Sequence, residues 1–586
     1  MRGCDEASIS LPTGRCLSKR EWPDGSRYEP RGGGMNANEV LGLVMLIVMI
    51  GVIFIGFPIS FTLLFLALAF GWFGLGETVF SLAYFQIIGM MKEELLAAVP
   101  LFIFMGFITE QAGLMERLFR AFRLILAPVR GSLYAVVILT AAVFAMATGI
   151  VGAAVTVLGI MAAPVMIKSG YDAKLSAGAI TAGGTLGILI PPSVMLIVMG
   201  PVLGVSVADL YAAAFGPGFL LAGIYLLYLL ARSYINPKLG PPVPLHERTL
   251  SFGAMLAEVA IGVVPLMALI GATLGSILGG LATPTEASAV GALGSLVLAF
   301  VYRRLSFRGL RQAVISTTAT SSMVLFLAAA SNVFGAVFAR LGTADVVTNT
   351  LLALPLPPFV MLTVVIVLIF LLGWPFEWPA IILVFLPIFY PVVAALKYDM
   401  VWFGALIAVV MQTAFLSPPV AMSAYYLKQV VQEWSLGTIY KGMFEFMVLQ
   451  CIAVALIMIF PQIATFLPEQ MRTEATTQQT EPIDDSASRL EEDPLGENRE
   501  QMDESPGAPG ATEQEEVQSL LAAEIENLPE HFRAAITLFY VQELKYEQIA
   551  EVMEVPVGTV KTYLFRGRNL LRERMSARMS KAVHAA

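Results

Sequence analysis

Apolar residues fall in blocks of about twenty, the length at which a helix crosses a bilayer. Such blocks lie near 40–56, 58–75, 95–115, 176–212, 214–232, 252–280, 284–302, 322–342, 402–430 and 444–466. The blocks at 176–212 and 402–430 are interrupted, which predicts broken helices. Two further stretches, 132–168 and 358–395, have room for two arms each and carry Gly149 or Gly373-Trp374-Pro375 at their middles, which predicts re-entrant hairpins. The pattern thus predicts an all-α membrane domain with five crossings and one hairpin in each half.

The interruptions repeat. Gly187-Ile188-Leu189-Ile190-Pro191-Pro192 is echoed 227 residues later by Ala414-Phe415-Leu416-Ser417-Pro418-Pro419. Pro164-Val165 and Tyr171-Asp172 return at the same offset as Pro391-Val392 and Tyr398-Asp399, and Pro58 matches Pro284. The membrane body is a duplicated unit, with repeats at about 35–240 and 250–468. Proline-broken segments at equivalent positions of two halves are the sequence pointer to the binding site of a secondary transporter.

An odd number of crossings per half places the second copy upside down. Cation placement tests this, because cytoplasmic loops collect Lys and Arg. Arg117, Arg120, Arg123 and Arg130 crowd one segment, whereas its counterpart at about 343–357 has no cation. Arg303, Arg304, Arg308 and Arg311 crowd another, whose counterpart near 76–91 again has none. With Arg232, Lys238, Arg248, Lys428 and Lys441 also inside, both ends of the membrane domain fall outside, and Lys397 is the exception. Residues 1–34 carry six cations yet lack the apolar core and cleavage site of a signal peptide, so Met35 reads as the more natural start.

Composition agrees with a multi-span membrane protein: 57% of the 586 residues are hydrophobic, 14% are charged, and mean hydropathy is +0.76. Three widely spaced cysteines and three histidines outside the spans argue against a disulfide framework or a metal redox centre, and no enzyme chemistry is read. The net charge of −8 is uneven, because acidic residues crowd into about 470–530.

The breaks are where backbone chemistry is exposed. Pro191 and Pro192 donate no N–H, which predicts that the carbonyls of Gly187 and Ile188 lack helical partners. Lipid cannot satisfy such groups, so they belong where protein or a polar cavity surrounds them. A sodium ion, which needs hard oxygen ligands, suits that demand. Gly183, Gly184 and Thr185 lead into the first break and allow close backbone approach, with Ser193 just beyond. The mirror site would use the Ala414 and Phe415 carbonyls at Pro418-Pro419, with Thr413 and Ser417 hydroxyls nearby.

Each break should face its own half's hairpin tip, Thr148-Gly149-Ile150-Val151-Gly152 or Gly373-Trp374-Pro375-Phe376-Glu377. A small anionic solute between the tips would meet helix N-termini. The bland alternative is that the double prolines are only kinks. Glu377 is the most suggestive intramembrane acid, either coupling transport or sitting capped and wet at the tip. Glu286, in Thr283-Pro284-Thr285-Glu286, reads as the far side of a capping box, and Asp172 and Asp399 read as helix caps. Trp374, Phe376 and Trp378 either gate the site or anchor the interface.

Ala182-Gly183-Gly184-Thr185-Leu186-Gly187-Ile188-Leu189-Ile190-Pro191-Pro192-Ser193, with Thr283-Pro284-Thr285-Glu286-Ala287 and Ser417-Pro418-Pro419-Val420, resembles the large membrane subunit of TRAP transporters over about 35–468. The resemblance implies an inverted-repeat, elevator-type, sodium-driven importer of organic acids in the bacterial inner membrane. It further implies a small four-span membrane subunit and a periplasmic binding protein that delivers the solute. Family sodium sites between hairpin tips and helix breaks would fall on the two residue sets above, with no other cofactor. The Glu377 hairpin and the Phe415-Leu416-Ser417-Pro418 break depart from the pattern of many members, so a simple C4-dicarboxylate substrate does not follow. Broken helices also occur in carriers that need no binding protein.

Residues 469–512 are rich in Glu, Asp, Pro, Gly, Ser and Gln, the composition of a disordered linker. Beyond it, Leu528-Pro529-Glu530 opens a helix to about Leu544, Tyr546–Met553 makes a second, and Thr559 onward makes a basic third. This predicts a small all-α helix-turn-helix domain over 513–586. Leu-Pro-x-x-x-Arg and Tyr-x-x-Ile-Ala-x-x-Met resemble region 4 of extracytoplasmic-function sigma factors over about 513–577. The resemblance implies contact with promoter DNA and RNA polymerase, with Thr559, Lys561, Thr562, Tyr563, Arg566 and Arg568 on the recognition helix. Ten crossings from an outside start leave residue 470 in the periplasm, away from DNA. Either the tail is a joined segment without function, or the span count is off by one and the chain is a membrane-tethered regulator.

Overall fold

The computed structural model describes residues 35–241, 252–418 and 421–478, a strand pair near the start, and scattered positions between 525 and 571. The strand pair is a three-residue antiparallel ladder, Ser8–Ser10 on Cys16–Ser18. The chain divides into two compact units, Met1–Glu481 and Pro482–Ala586.

The first unit repeats one order of elements. The first half runs through Ala37–Ile55, Ile59–Leu75, Thr78–Met91, Ala98–Gln111 and Leu114–Leu126, then the hairpin arms Ser132–Thr148 and Val151–Lys168. It ends with the broken pair Ala173–Thr185 and Val194–Leu203, then Val207–Ile235. The second half runs through Phe252–Ile270, Pro284–Val301, Phe307–Arg340 and Thr343–Leu352, then the arms Pro358–Leu372 and Trp378–Ala395. The broken pair Met400–Leu416 and Met422–Val430 and the helix Leu436–Ile459 complete it. Among the described residues, nine helices are long and apolar enough to cross a membrane. Thr78–Met91 and Ala98–Gln111, joined by the tight turn Glu94–Ala97, stand where the second half has the single 34-residue helix Phe307–Arg340.

Burial separates two kinds of helix. Every residue from Leu175 to Thr185, and nearly every residue of Met400–Leu416, is buried. Ala37–Ile55 and Ile59–Leu75 instead expose Ile47, Phe54, Ile55, Phe61, Phe65 and Phe73, an apolar belt suited to lipid. The broken helices thus form the centre of a bundle, and the early helices of each half form an outer scaffold. Within the bundle, Ala173–Thr185 crosses Leu436–Ile459 closely: a Cβ on Gly178 would stand 2.8 Å from the Gly442 carbonyl. Small residues at a membrane helix crossing permit such approach.

Caps set the helix starts as the sequence indicates. Asp172 accepts the Leu175 N–H at 2.9 Å, and Asp399 accepts the Trp402 N–H at 2.7 Å. Thr283 and Glu286 form the reciprocal capping box, with the Thr283 N–H donated to the Glu286 carboxylate at 2.8 Å. Three segments expected as loops are helices. Leu114–Leu126 is amphipathic, burying Leu114, Met115, Leu118 and Phe119 while Arg120 pairs with Glu258 at 3.3 Å and Arg117 lies over the Tyr302 ring. Thr78–Met91 and Thr343–Leu352 are the others. The last helix of the first half begins at Val207, ahead of the expected 214, because Pro217 is accommodated inside it.

In the second unit, Pro529 caps the helix Glu530–Ile536, which continues as a wider turn over Thr537–Val541. Leu528, Phe532, Ala535, Ile536, Ile549, Leu564 and Leu571 share one small core. The acidic stretch and most of the expected recognition helix lie outside the described residues.

Candidate functional site

The first break is built by its prolines. Ala173–Thr185 ends in a single tight turn, Leu186–Ile188, and the chain resumes as a helix at Val194 after a cis Pro191–Pro192 bond. The Ile190 N–H is committed to the Leu186 carbonyl at 3.0 Å, and Pro191 has no N–H, so neither helical donor reaches the Gly187 carbonyl. Ile188 departs from expectation, because its carbonyl accepts the Ser193 hydroxyl. The residue just past the double proline thus replaces one of the two lost donors.

Gly149 forms the tip of the first hairpin in a left-handed conformation (φ 61°). A Cβ there would lie 3.7 Å from the Pro192 carbonyl and 3.9 Å from that of Gly187, so the tip stands over its own half's break. Thr148 ends the arm before it. Gly183 and Gly184 serve the two arms separately. Gly183 faces Ile138 and Ala141 of the first arm, with Ala141 Cβ 3.2 Å from the position a Cβ would take. Gly184 faces Val155 of the second arm, whose backbone nitrogen would be only 3.0 Å from a Cβ. Thr185 donates to the Ala182 carbonyl at 2.8 Å and is fully buried.

The second break is made differently. Met400–Leu416 stops at Ser417, whose hydroxyl donates to the Thr413 carbonyl at 2.7 Å, while the Thr413 hydroxyl donates to Val410 at 2.6 Å. Both expected hydroxyl ligands are therefore turned back onto their own helix, and neither lines the cavity described below. Gly373 packs on this break, where a Cβ would be 3.2 Å from Ala414 Cβ. Pro418 is exposed, and Pro419 lies outside the described residues.

The two tips and the two breaks meet at one cavity of about 150 Å³. Gly149, Gly152, Ile188 and Val194 come from the first half; Glu377, Phe415, Met422 and Tyr426 come from the second; Ile103 and Thr320 belong to scaffold helices. Tyr426 crosses between halves, its ring 3.1 Å from where a Cβ on Gly152 would stand. The helices beginning at Val151, Val194, Trp378 and Met422 all present their N-terminal ends here. Glu377 is half-buried in the wall, makes no side-chain cap hydrogen bond, and is the one carboxylate among the described lining residues, which include no Lys, Arg or His. Among the described residues no group of three or more acids, cysteines or histidines could hold a metal.

Sequence reasoning missed Tyr426 and Thr320. Tyr426 sits on a nine-residue helix with no motif, whereas Thr320 lies in the Ser/Thr-rich run 316–322, an unusual composition inside a long span. Of the residues expected to read DNA, Tyr563 packs against the Phe532 ring, with centroids 5.8 Å apart, and so contributes to the core of its unit. Thr559, Lys561, Thr562, Arg566 and Arg568 lie outside the described residues.

Comparison with known proteins agrees with this architecture. The model for "Tripartite ATP-independent periplasmic transporter, DctM component" matches residues 46–463, and that for "Sigma-70, region 4" matches 518–571. The sialic acid TRAP transporter large permease protein SiaM of Vibrio cholerae is 31% identical, over 72% of this chain and 96% of its own length. The C4-dicarboxylate large permease DctM of Pseudomonas aeruginosa is 30% identical, over 67% of this chain and 90% of its own. The ectoine large permease TeaC of Halomonas elongata is 27% identical, over 72% and 98%. These relatives are transporter permeases, not enzymes, and the chain belongs to the DctM family of tripartite ATP-independent periplasmic transporters.

Proposed function

We propose that this chain is the large permease subunit of a sodium-coupled importer of a small organic acid in the bacterial inner membrane. The observation that supports this reading best is the convergence of four helix N-terminal ends on the cavity between the hairpin tips. A helix N-terminus carries roughly half a positive charge, and the ends at Val151, Val194 and Met422 hold no acidic residue in their first turns, so these three favour a carboxylate without any cationic side chain. The Gly187 carbonyl, left without a helical donor beneath the Gly149 tip, is suited to sodium. Relatives named for sialic acid, C4-dicarboxylates and ectoine bracket the solute class. A small four-span membrane subunit and a periplasmic binding protein complete the transporter, and the permease moves solute by elevator travel of the bundle against the scaffold.

The test is reconstitution of all three components in liposomes, with a panel of labelled organic acids and an imposed sodium gradient. Uptake of at least one acid should require the gradient and all components. Uptake that persists without sodium would sink the coupling, and uptake by the chain alone would remove the binding protein from the scheme.

The match at 518–571 supports a second reading of the tail as a promoter-binding module. Specific retardation of −35 promoter DNA, lost in Arg566→Glu, is its expected signature; absence of specific binding by the full chain would remove it.

A further inference from the structure

The wall of the cavity carries an unbalanced charge. Glu377 lies at the start of the helix Trp378–Ala395, yet its side chain makes no capping bond to that helix. No hydrogen bond or ion pair to its carboxylate is formed among the described residues, and no cationic side chain shares the cavity. The polar side chains among the described lining residues are Glu377, Thr320, Tyr426 and the Trp378 indole, set among apolar neighbours such as Ile103, Val194 and Phe415. A half-buried carboxylate in such surroundings needs a donor, and a bound solute is one available source.

We propose that Glu377 is a specificity-determining residue that selects monocarboxylates bearing a hydroxyl or ammonium donor and rejects dicarboxylates. This rests on the reading above that the cavity holds the solute. The solute's carboxylate takes the ends at Val151, Val194 and Met422, and its other end faces Glu377, which starts the fourth helix. A hydroxyl or ammonium there donates to the Glu377 carboxylate, whereas a second carboxylate would meet like charge.

Three four-carbon acids of matched length provide the test: 4-hydroxybutyrate, 4-aminobutyrate and succinate, titrated calorimetrically into the purified full chain in nanodiscs at pH 8 with saturating sodium. The expected result is binding of the first two, with succinate weaker by at least about ten-fold. In Glu377→Gln the preference should collapse, succinate gaining affinity and 4-aminobutyrate losing it. Failure of both donor-bearing acids to bind the wild type, or equal binding of succinate, overturns the proposal. Ile103→Trp, which fills the cavity from the scaffold side, separates this from failure of the site itself. If the donor-bearing acids still bind that folded variant, the cavity reading is wrong; if binding is lost but Glu377→Gln leaves the preference intact, only the role of Glu377 is wrong.

Discussion

Replacing Gly184 by alanine adds one methyl group at the tightest contact between the first broken helix and its hairpin. The new Cβ would stand 3.0 Å from the Val155 backbone nitrogen and 3.2 Å from its Cα, and would overlap the Val155 side chain. A side-chain rotation relieves the last contact but not the first two, so the arm must shift. Overpacking of this kind costs about 3 kcal/mol at the upper end of its range, and the glycine-to-alanine gain in a helix returns about 1, leaving roughly 2 kcal/mol of destabilisation. Gly183→Ala is the internal control. Its nearest neighbours are Ala141 Cβ at 3.2 Å and Ile138 Cδ1 at 3.4 Å, which need to give only a few tenths of an ångström, so gain and cost nearly cancel. Because the shifted arm carries the Gly149 tip away from the Gly187 carbonyl, Gly184→Ala should also lose uptake by at least about ten-fold, while Gly183→Ala retains it. Thermal unfolding in detergent and uptake in liposomes read the two effects separately. Equal midpoints and equal uptake for the two variants would refute the assignment of Gly184 to the hairpin contact.

Ser193→Ala leaves the buried Ile188 carbonyl without its hydroxyl donor and should destabilise the protein by about 1–3 kcal/mol, read as a lower unfolding midpoint. Thr283→Ala removes half of the capping box and should cost about 1 kcal/mol of stability with no change in solute affinity. Arg472 and Asp209 pair at 2.8 Å but are partly exposed, so Arg472→Ala should cost less than about 1 kcal/mol, and the difference should shrink in high salt. A compartment-specific reporter fused after Gln478 should be active on the periplasmic side; cytoplasmic activity would mean that one crossing was miscounted.

Legibility followed chemistry rather than length. Pro191-Pro192 and Gly149 announce a break and a tip by what they do to the backbone, and the structure sets the tip over the Pro192 carbonyl. Glu377 announces itself by the cost of a carboxylate among apolar neighbours. Thr413 and Ser417 could be read only as hydroxyls beside a break; that each donates its proton to a carbonyl of its own helix shows only in the structure. Leu114–Leu126 was hidden because its apolar face is only four turns long and its arginines resemble a loop, until packing on Phe252–Ile270 shows which side is buried. Tyr426 could not be read at all, since its role arises from the approach of Gly152 across the two halves. Such contacts between distant segments leave no local pattern.

Phe307–Arg340 has 34 residues in one unbroken helix, about 51 Å at 1.5 Å per residue. The hydrocarbon layer is only about 30 Å thick, and membrane helices lean by at most about 40°. Even at that lean the rod outreaches the apolar slab, so it has the length to reach both headgroup layers. Arg308 and Arg311 occupy one end and Arg340 the other, as charged groups in that zone should. A beam moored in both headgroup layers resists displacement along the membrane normal, because sinking either end would drag guanidinium groups into hydrocarbon. Its jointed counterpart, Thr78–Met91 with Ala98–Gln111, places the articulation of that pair on the other side of the duplication.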